Sequence, residues 1–364
     1  MGIQIAVATP ADDAQIRGLL RREPVPGRIA ISYEREPDFS RGCSATGDHA
    51  TVLVARDLET GVTAGVACRS ERDVYVNATP TRLGYLGQLR VDRHYRGRWL
   101  VSRGFAMLKE LHDLSPLPAY LAAVTQGNRE AEGILVRKGR TRFPTFHPVA
   151  NYCTLAMPVR RVSPVSGVDA ATAADVPEIV RFLQTHGPRR QFFPVWTEAR
   201  LVTLTTRLGL CIEDLSIARQ AGCIVGVIGL WDQSAYKQDV VRAYSGWMRV
   251  AAPIYNASAS WLRRPRLPKV GERIRSGYAV FTCVERDAAS VFRDLLTATL
   301  NRAAARGLDY VLLGLDQRDP LFETARERPH IAYRSRLFLA EWPDGGQLHA
   351  RLDARPSYVE IATL

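Results

Sequence analysis

Apolar and polar positions along this chain follow a pattern that runs through twice. Residues 8–20, ATPADDAQIRGLL, place Ile16, Leu19 and Leu20 at helical spacing behind Thr9 and Asp12, which suit an N-terminal cap. Residues 171–183, ATAADVPEIVRFL, repeat that arrangement 163 positions later, with Ala, Thr, Ala, Asp, Ile and Leu in register. Next come VLVARDLETGVTAGVA (52–67) and LSIARQAGCIVGVIG (215–229). Each reads as an apolar run, an Ala-Arg pair, a Gly-bearing turn and a second run through Gly-Val, which predicts a strand-turn-strand unit. YLGQLRV (85–91) and YAVFTCV (278–284) both start at Tyr, end at Val and predict buried strands. The segments after them, 101–114 and 288–307, have helical periodicity, and Gly307 suits a C-cap. Another apolar strand follows each, at 119–125 and 310–316.

Helix, hairpin, strand, helix, strand, helix is therefore the order of each half, and matches at several ordered places predict an internal duplication. The class is α/β, with helices on a mixed α+β sheet, and a length of 364 residues accords with two domains. The first domain is expected at 1–157 and the second at 169–364, joined by a Pro/Ser/Arg-rich linker at 158–168. The second copy carries an insertion at about 231–277, partly helical and then Pro-rich.

Composition narrows the chemistry only a little. No apolar run approaches the ~20 residues of a membrane span, and the N-terminal stretch MGIQIAVATPADDAQ is acidic where a signal peptide is basic. A cytoplasmic protein with no membrane partner is the expectation. The six cysteines form no C-x-x-C pair and have no His at ligand spacing, so they are read as reduced, mostly buried thiols with no metal site. The net charge of +12 comes from 49 basic residues, only four of them Lys. Such a skew reflects base composition, and no long basic run or aromatic-basic stripe points to nucleic acid.

The stretch that looks chemical is HYRGRW (94–99). A Gly-bearing basic turn that opens a helix presents backbone N–H groups and the positive end of the helix dipole to an anion. Gly97 allows close approach and positive φ, and Arg96 and Arg98 add charge. The bland alternative is a turn that only starts a helix.

Two motifs in this topology resemble the GNAT acyltransferase superfamily. VDRHYRGRWLVSRGF (91–105) resembles its strand-ending Val, short turn and Arg-Gly-x-Gly-x-Gly helix start; NREAEGILVRKGR (128–140) resembles its Asn, an Ala three residues on, and a Gly that closes the next helix. The resemblance covers nearly all of 1–157 and implies two tandem GNAT-like domains, the second degenerate. It implies acetyl-CoA, or another acyl-CoA, as co-substrate, with the pantetheine arm along Leu89, Arg90 and Val91. The pyrophosphate would then lie at Arg96, Gly97, Arg98, Trp99, Leu100 and Val101, and Asn128 would bond the cofactor arm or simply cap a helix. Trp99 and Val101 stand where the family has glycines, so the loop is a modified one; helical φ at both positions would make this harmless. The second half has Glu285 and Asp287 at the matching place and no Arg-Gly pair, so it is expected not to bind CoA.

Many family members carry a Glu on the central strand where this chain has Tyr85 and, in the second copy, Tyr278. Tyr titrates near 10, which suits an acid or a water-positioning group; the other reading of Tyr85 is a core aromatic. The family's acid Tyr in the last helix corresponds to Leu135. The polar segment 315–338 offers Asp316, Arg318, Asp319, His330 and Tyr333 as an acceptor site, with His330 as a base, or else as a salt-bridged loop. His147 is read as structural. The resemblance thus implies transfer of an acyl group to a small-molecule amine or amino-acid-like acceptor by direct attack. The competing expectation is a catalytically degenerate CoA-binding or ligand-sensing protein.

Overall fold

The structure is a computed structural model that describes residues 2–97, 99–128, 131–133, 143–160, 162–259 and 266–364. Both capping pairs form. Asp12 Oδ2 accepts from Thr9 N at 2.7 Å and from Thr9 Oγ1 at 2.9 Å, and Asp175 Oδ2 takes both Thr172 groups at 2.7 Å. They open the helices Asp13–Arg22 and Val176–His186, which bury Ile16, Leu19 and Leu20, and Ile179, Phe182 and Leu183.

The first half contributes β1 (Ile3–Val7), β2 (Ile29–Glu34), β3 (His49–Asp57), β4 (Thr63–Val76), β5 (Thr79–Val91), β6 (Tyr120–Thr125) and β7 (Thr145–Pro158). The second contributes β8 (Val168–Ala170), β9 (Leu215–Gln220), β10 (Cys223–Trp231), β11 (Gln238–Tyr244), β12 (Ser276–Val284), β13 (Tyr310–Asp316) and β14 (Ile331–Glu341). Among the described residues twelve of these make one mixed sheet, in the order β1-β3-β4-β5-β6-β14-β7-β13-β12-β10-β9-β8. Both expected hairpins form, β3–β4 and β9–β10. Ala221 and Gly222 both take positive φ in the second turn, as a tight two-residue connection demands.

Two irregularities recur at matching places. β5 pairs in parallel with β6 only at Gly84↔Tyr120 and Tyr85↔Leu121 before the strands part. β12 likewise meets β13 only from Ser276↔Tyr310 to Tyr278↔Leu312. Three residues after each of these tyrosines the strand bulges, with Gln88 at φ 57° and Phe281 at φ 56°. The halves also interlock, because β14 lies between β6 and β7, and β7 lies between β14 and β13.

The segment 315–338, expected as a polar loop, instead forms the helix Leu321–Arg326 and most of β14. Its charges misled because Ile331–Arg334 are exposed while Leu337–Ala340 are buried. The insertion holds a helix, Met248–Ala259, as expected. It also holds β11, which pairs with β2 of the first half at Asp239↔Tyr33 and Val241↔Ile31. All six cysteines are free thiols, four of them buried. No described helix is long and apolar enough to cross a membrane.

Candidate active site

The parting of β5 from β6 is built by small residues. A Cβ on Gly84 would lie 2.1 Å from the Tyr120 ring, and one on Gly87 would lie 2.5 Å from the Tyr85 ring. Glycine at both places lets the two aromatic rings wedge the sheet open. Past Tyr85, the β5 edge that faces β6 has no strand partner among the described residues, so its backbone groups are free to pair with an extended ligand. This gap opens into a cavity of about 1260 Å³, above the roughly 300–1,000 Å³ usual for a small ligand. Leu89, Arg90 and Val91 line it from β5, Leu100 and Val101 from the helix Leu100–Leu114, and Asn128 from the turn after β6.

At the helix start, Gly97 has φ 79°, and a side chain there would meet nothing within 4 Å. Gly97 therefore takes the left-handed conformation expected of it, with open space beside it. Arg96 is held by Glu23 at 3.0 Å. Arg98 lies outside the described residues. Trp99 does not take helical φ: it sits left-handed at φ 60°, 66% exposed, which costs a non-glycine residue of order 1 kcal/mol. Val101 is helical and carries no such cost. Asn128 accepts from Ala131 N at 3.2 Å, so its side chain caps the next helix while it lines the cavity.

Tyr85 lies on the cavity wall, 9% exposed, and burial pushes its hydroxyl up to about 12. The structure does not bring His330 to it. His330 lines a separate cavity of about 350 Å³ and not the main one, whereas Tyr333 lines the main one. His330 Nδ1 lies 2.7 Å from the Arg328 carbonyl oxygen. Asp316 is fully buried and accepts from Ser357 N and Arg318, and Asp319 pairs with Arg190 at 2.6 Å. These residues form a salt-bridged support.

Three groups that sequence reasoning missed line the main cavity from the β2–β11 ribbon and its ends. Burial lowers Lys237 to about 7; its Nζ donates to the main-chain oxygens of Ala362 and Leu364 at 3.4 and 3.3 Å and lies 4.5 Å from the centre of the Tyr278 ring. Asp239 Oδ1 is buried without a hydrogen-bond partner, and burial raises its carboxyl above the ordinary range. Arg35, 2% exposed, donates to the Glu34 carbonyl oxygen at 3.0 Å and has no carboxylate within ion-pair distance among the described residues. Gly42 makes room for it, since a Cβ there would lie 2.3 Å from Arg35 Cδ. One signal was legible: a chain with four lysines among 49 basic residues keeps Lys at 237, and Lys can lose its proton where Arg cannot.

The matching cleft of the second half is filled by the chain itself. Glu360 Oε2 accepts from the bulge amide Phe281 N at 2.9 Å, and Tyr358 Oη accepts from Thr282 N at 3.3 Å. Val359 and Ile361 pack in the core beside them. An extended ligand would have to displace this segment.

No family model matches the chain, and no curated protein matches it either. Solved structures do. N-myristoyltransferase of Saccharomyces cerevisiae with bound myristoyl-CoA superposes with a TM-score of 0.62 at 10% identity, covering 93% of this chain and 79% of that one. The glucosamine N-acetyltransferase region of a fungal multi-domain β-N-acetylglucosaminidase gives 0.61 at 14%, covering 93% and 38%. A GCN5-related N-acetyltransferase from Sphaerobacter thermophilus gives 0.53 at 14%, covering 100% and 98%. The chain has the GNAT fold.

Proposed function

We propose that this protein is an acyl-CoA-dependent N-acyltransferase whose acceptor is an amino-acid-like molecule carrying both an ammonium and a carboxylate. The observation that carries the reading is one cavity. It is lined by an open strand edge beside a Gly-bearing helix start and by a buried guanidinium and a buried carboxylate that have no ion pair among the described residues. In this reading the halves are unequal copies. Residues 1–157 hold the donor and contribute Arg35 to the acceptor end, and 169–364, past the 158–168 linker, supply Lys237 and Asp239 there.

The pantetheine arm pairs with Leu89–Val91, and the pyrophosphate lies at the amides around Gly97. Arg35 holds the acceptor carboxylate, and Asp239 attracts its ammonium. Lys237, neutral in an appreciable fraction near pH 7, takes a proton from that ammonium. The freed amine attacks the thioester carbonyl, and backbone N–H groups at the β5 bulge stabilise the oxyanion. The C–S bond then breaks, Tyr85, protonated at neutral pH, donates a hydrogen bond to the departing thiolate, the attacking nitrogen gives up its second proton to that thiolate, and Lys237 releases the first to solvent. Acetyl-CoA fits this scheme. The apolar volume beyond the strand gap also has room for a longer acyl chain.

The test is calorimetric titration with acetyl-CoA and longer acyl-CoAs at low salt, then thiol release with a panel of amino acids. The reading requires one donor site per chain and thiol release that Arg35→Lys slows through a raised acceptor KM. Absence of donor binding overturns it. Binding without turnover favours the ligand-sensing alternative, which has the left-handed Trp99 and the Glu23-bound Arg96 on its side.

A further inference from the structure

Away from the cavity, three segments distant in sequence meet at one end of β14. His147 is on β7, Glu341 ends β14, and His349 is in the short helix Leu348–Arg351. In the β14–β7 register His147 lies opposite Leu339 and Thr145 opposite Glu341, so His147 and Glu341 are diagonal neighbours on one face. Glu341 Oε2 lies 2.5 Å from His349 Nδ1 and 3.8 Å from His147 Nε2, and the three atoms fall within 4.8 Å of one another. Glu341 Oε1 accepts from His349 N at 3.0 Å. The two imidazole rings lie parallel, 3.4 Å apart.

Glu341 is 5% exposed, and among the described residues no Arg or Lys pairs with it. A buried carboxylate needs a positive partner, and only imidazoles are at hand. The three groups converge on one point that a cation could occupy. We propose that His147, Glu341 and His349 bind a divalent transition-metal ion of the zinc class. One carboxylate oxygen and two imidazole nitrogens are a zinc donor set that leaves a fourth position open. Tetrahedral bonds of about 2.0–2.1 Å set ligand atoms about 3.3 Å apart, and the present 2.5 and 3.8 Å fall on either side of that distance. Binding exchanges the His349–Glu341 hydrogen bond for two metal bonds and turns the rings out of their stack. Both histidines are partly exposed, 28% and 29%, which gives the ion a way in. The ion would tie the ends of two central strands to the segment that follows them.

The experiment uses the untagged full chain, stripped with a chelator and titrated with Zn²⁺ against a chromophoric competitor. The proposal requires one Zn²⁺ per chain, at least tenfold weaker binding in Glu341→Gln and in His349→Phe, and a thermal midpoint that Zn²⁺ raises in the wild type only. His349→Phe keeps an aromatic ring in the stack, so a folded variant that has lost Zn²⁺ separates ligation from packing. His147→Gln gives a second reading if that variant misfolds. Cys223→Ser must retain binding, because Cys223 is an exposed thiol able to take zinc on its own. No binding at micromolar Zn²⁺, or equal affinity in all ligand variants, overturns the proposal and leaves a hydrogen-bonded His349–Glu341 pair.

Discussion

Replacing Lys237 by Met tests the cavity electrostatics directly, because the fold holds this amine at a cost that depends on pH. The fall from 10.5 to about 7 corresponds to about 5 kcal/mol at ~1.4 kcal/mol for each tenfold change. Below pH 7 both the native and the unfolded chain carry the proton, and the native state bears the whole cost. Between pH 7 and 10.5 the unfolded chain binds a proton that the native state has shed, so stability climbs with pH. Above 10.5 the cost is gone. Met keeps most of the side-chain volume without the charge. It forfeits two long contacts to main-chain oxygens and the contact with the Tyr278 ring, together about 1 kcal/mol. The variant should therefore be about 3–4 kcal/mol more stable than the wild type at pH 6, an advantage that falls to about zero by pH 10. Urea unfolding at pH 6, 7.5, 9 and 10 reads the difference. A Met variant that is less stable at pH 6, or a difference that does not change with pH, would refute the argument that Lys237 is a desolvated amine. Under the proposed function the same variant should lose thiol release at least tenfold, so stability and activity move in opposite directions.

Glu360 has the opposite sign: burial raises it from 4.5 to about 7, so the native state keeps a proton between those values and loses up to about 3 kcal/mol as pH rises through 7. Glu360→Gln should flatten the urea midpoint between pH 5 and 8, and an unchanged slope counts against a buried carboxyl there. Gly97→Val forces a β-branched residue into φ 79°, at about 1–2 kcal/mol, and should lower acyl-CoA affinity at least tenfold with a native circular dichroism spectrum. Retained affinity would move the phosphate site elsewhere. Tyr85→Phe removes a hydroxyl that makes no hydrogen bond among the described residues, so stability should stay within about 1 kcal/mol. Turnover should fall tenfold or more, and unchanged turnover would make Tyr85 a core aromatic only.

How legible this protein was depends on the distance over which each feature is encoded. The caps at Thr9–Asp12 and Thr172–Asp175, the β9–β10 turn at Ala221-Gly222 and the helix start at Gly97 are local, so residue type and spacing within a few positions determine them. The two tyrosines that mark where the sheet opens were visible as matching strand starts, and a glycine one residue before each was visible too. The wedge itself needs Tyr120 and Tyr85 against glycine Cα atoms, and that is a tertiary contact. The sequence pattern also showed that two similar halves follow one another. It did not show that β14 would cross into the first half, because strand order is set by which edges remain unpaired once every other strand is placed. Nor could it place His330, which sits just before β14 and lines a separate cavity from Tyr85. The polar end of the cavity was the least legible part. Arg35, Lys237 and Asp239 are remote in sequence, and each matters through burial, which no local pattern encodes. The same holds for His147, Glu341 and His349, which no ligand spacing connects. Local chemistry, decided within a few residues, was written in the sequence; the pairing of distant charged groups inside a low-dielectric space was decided only when the chain folded.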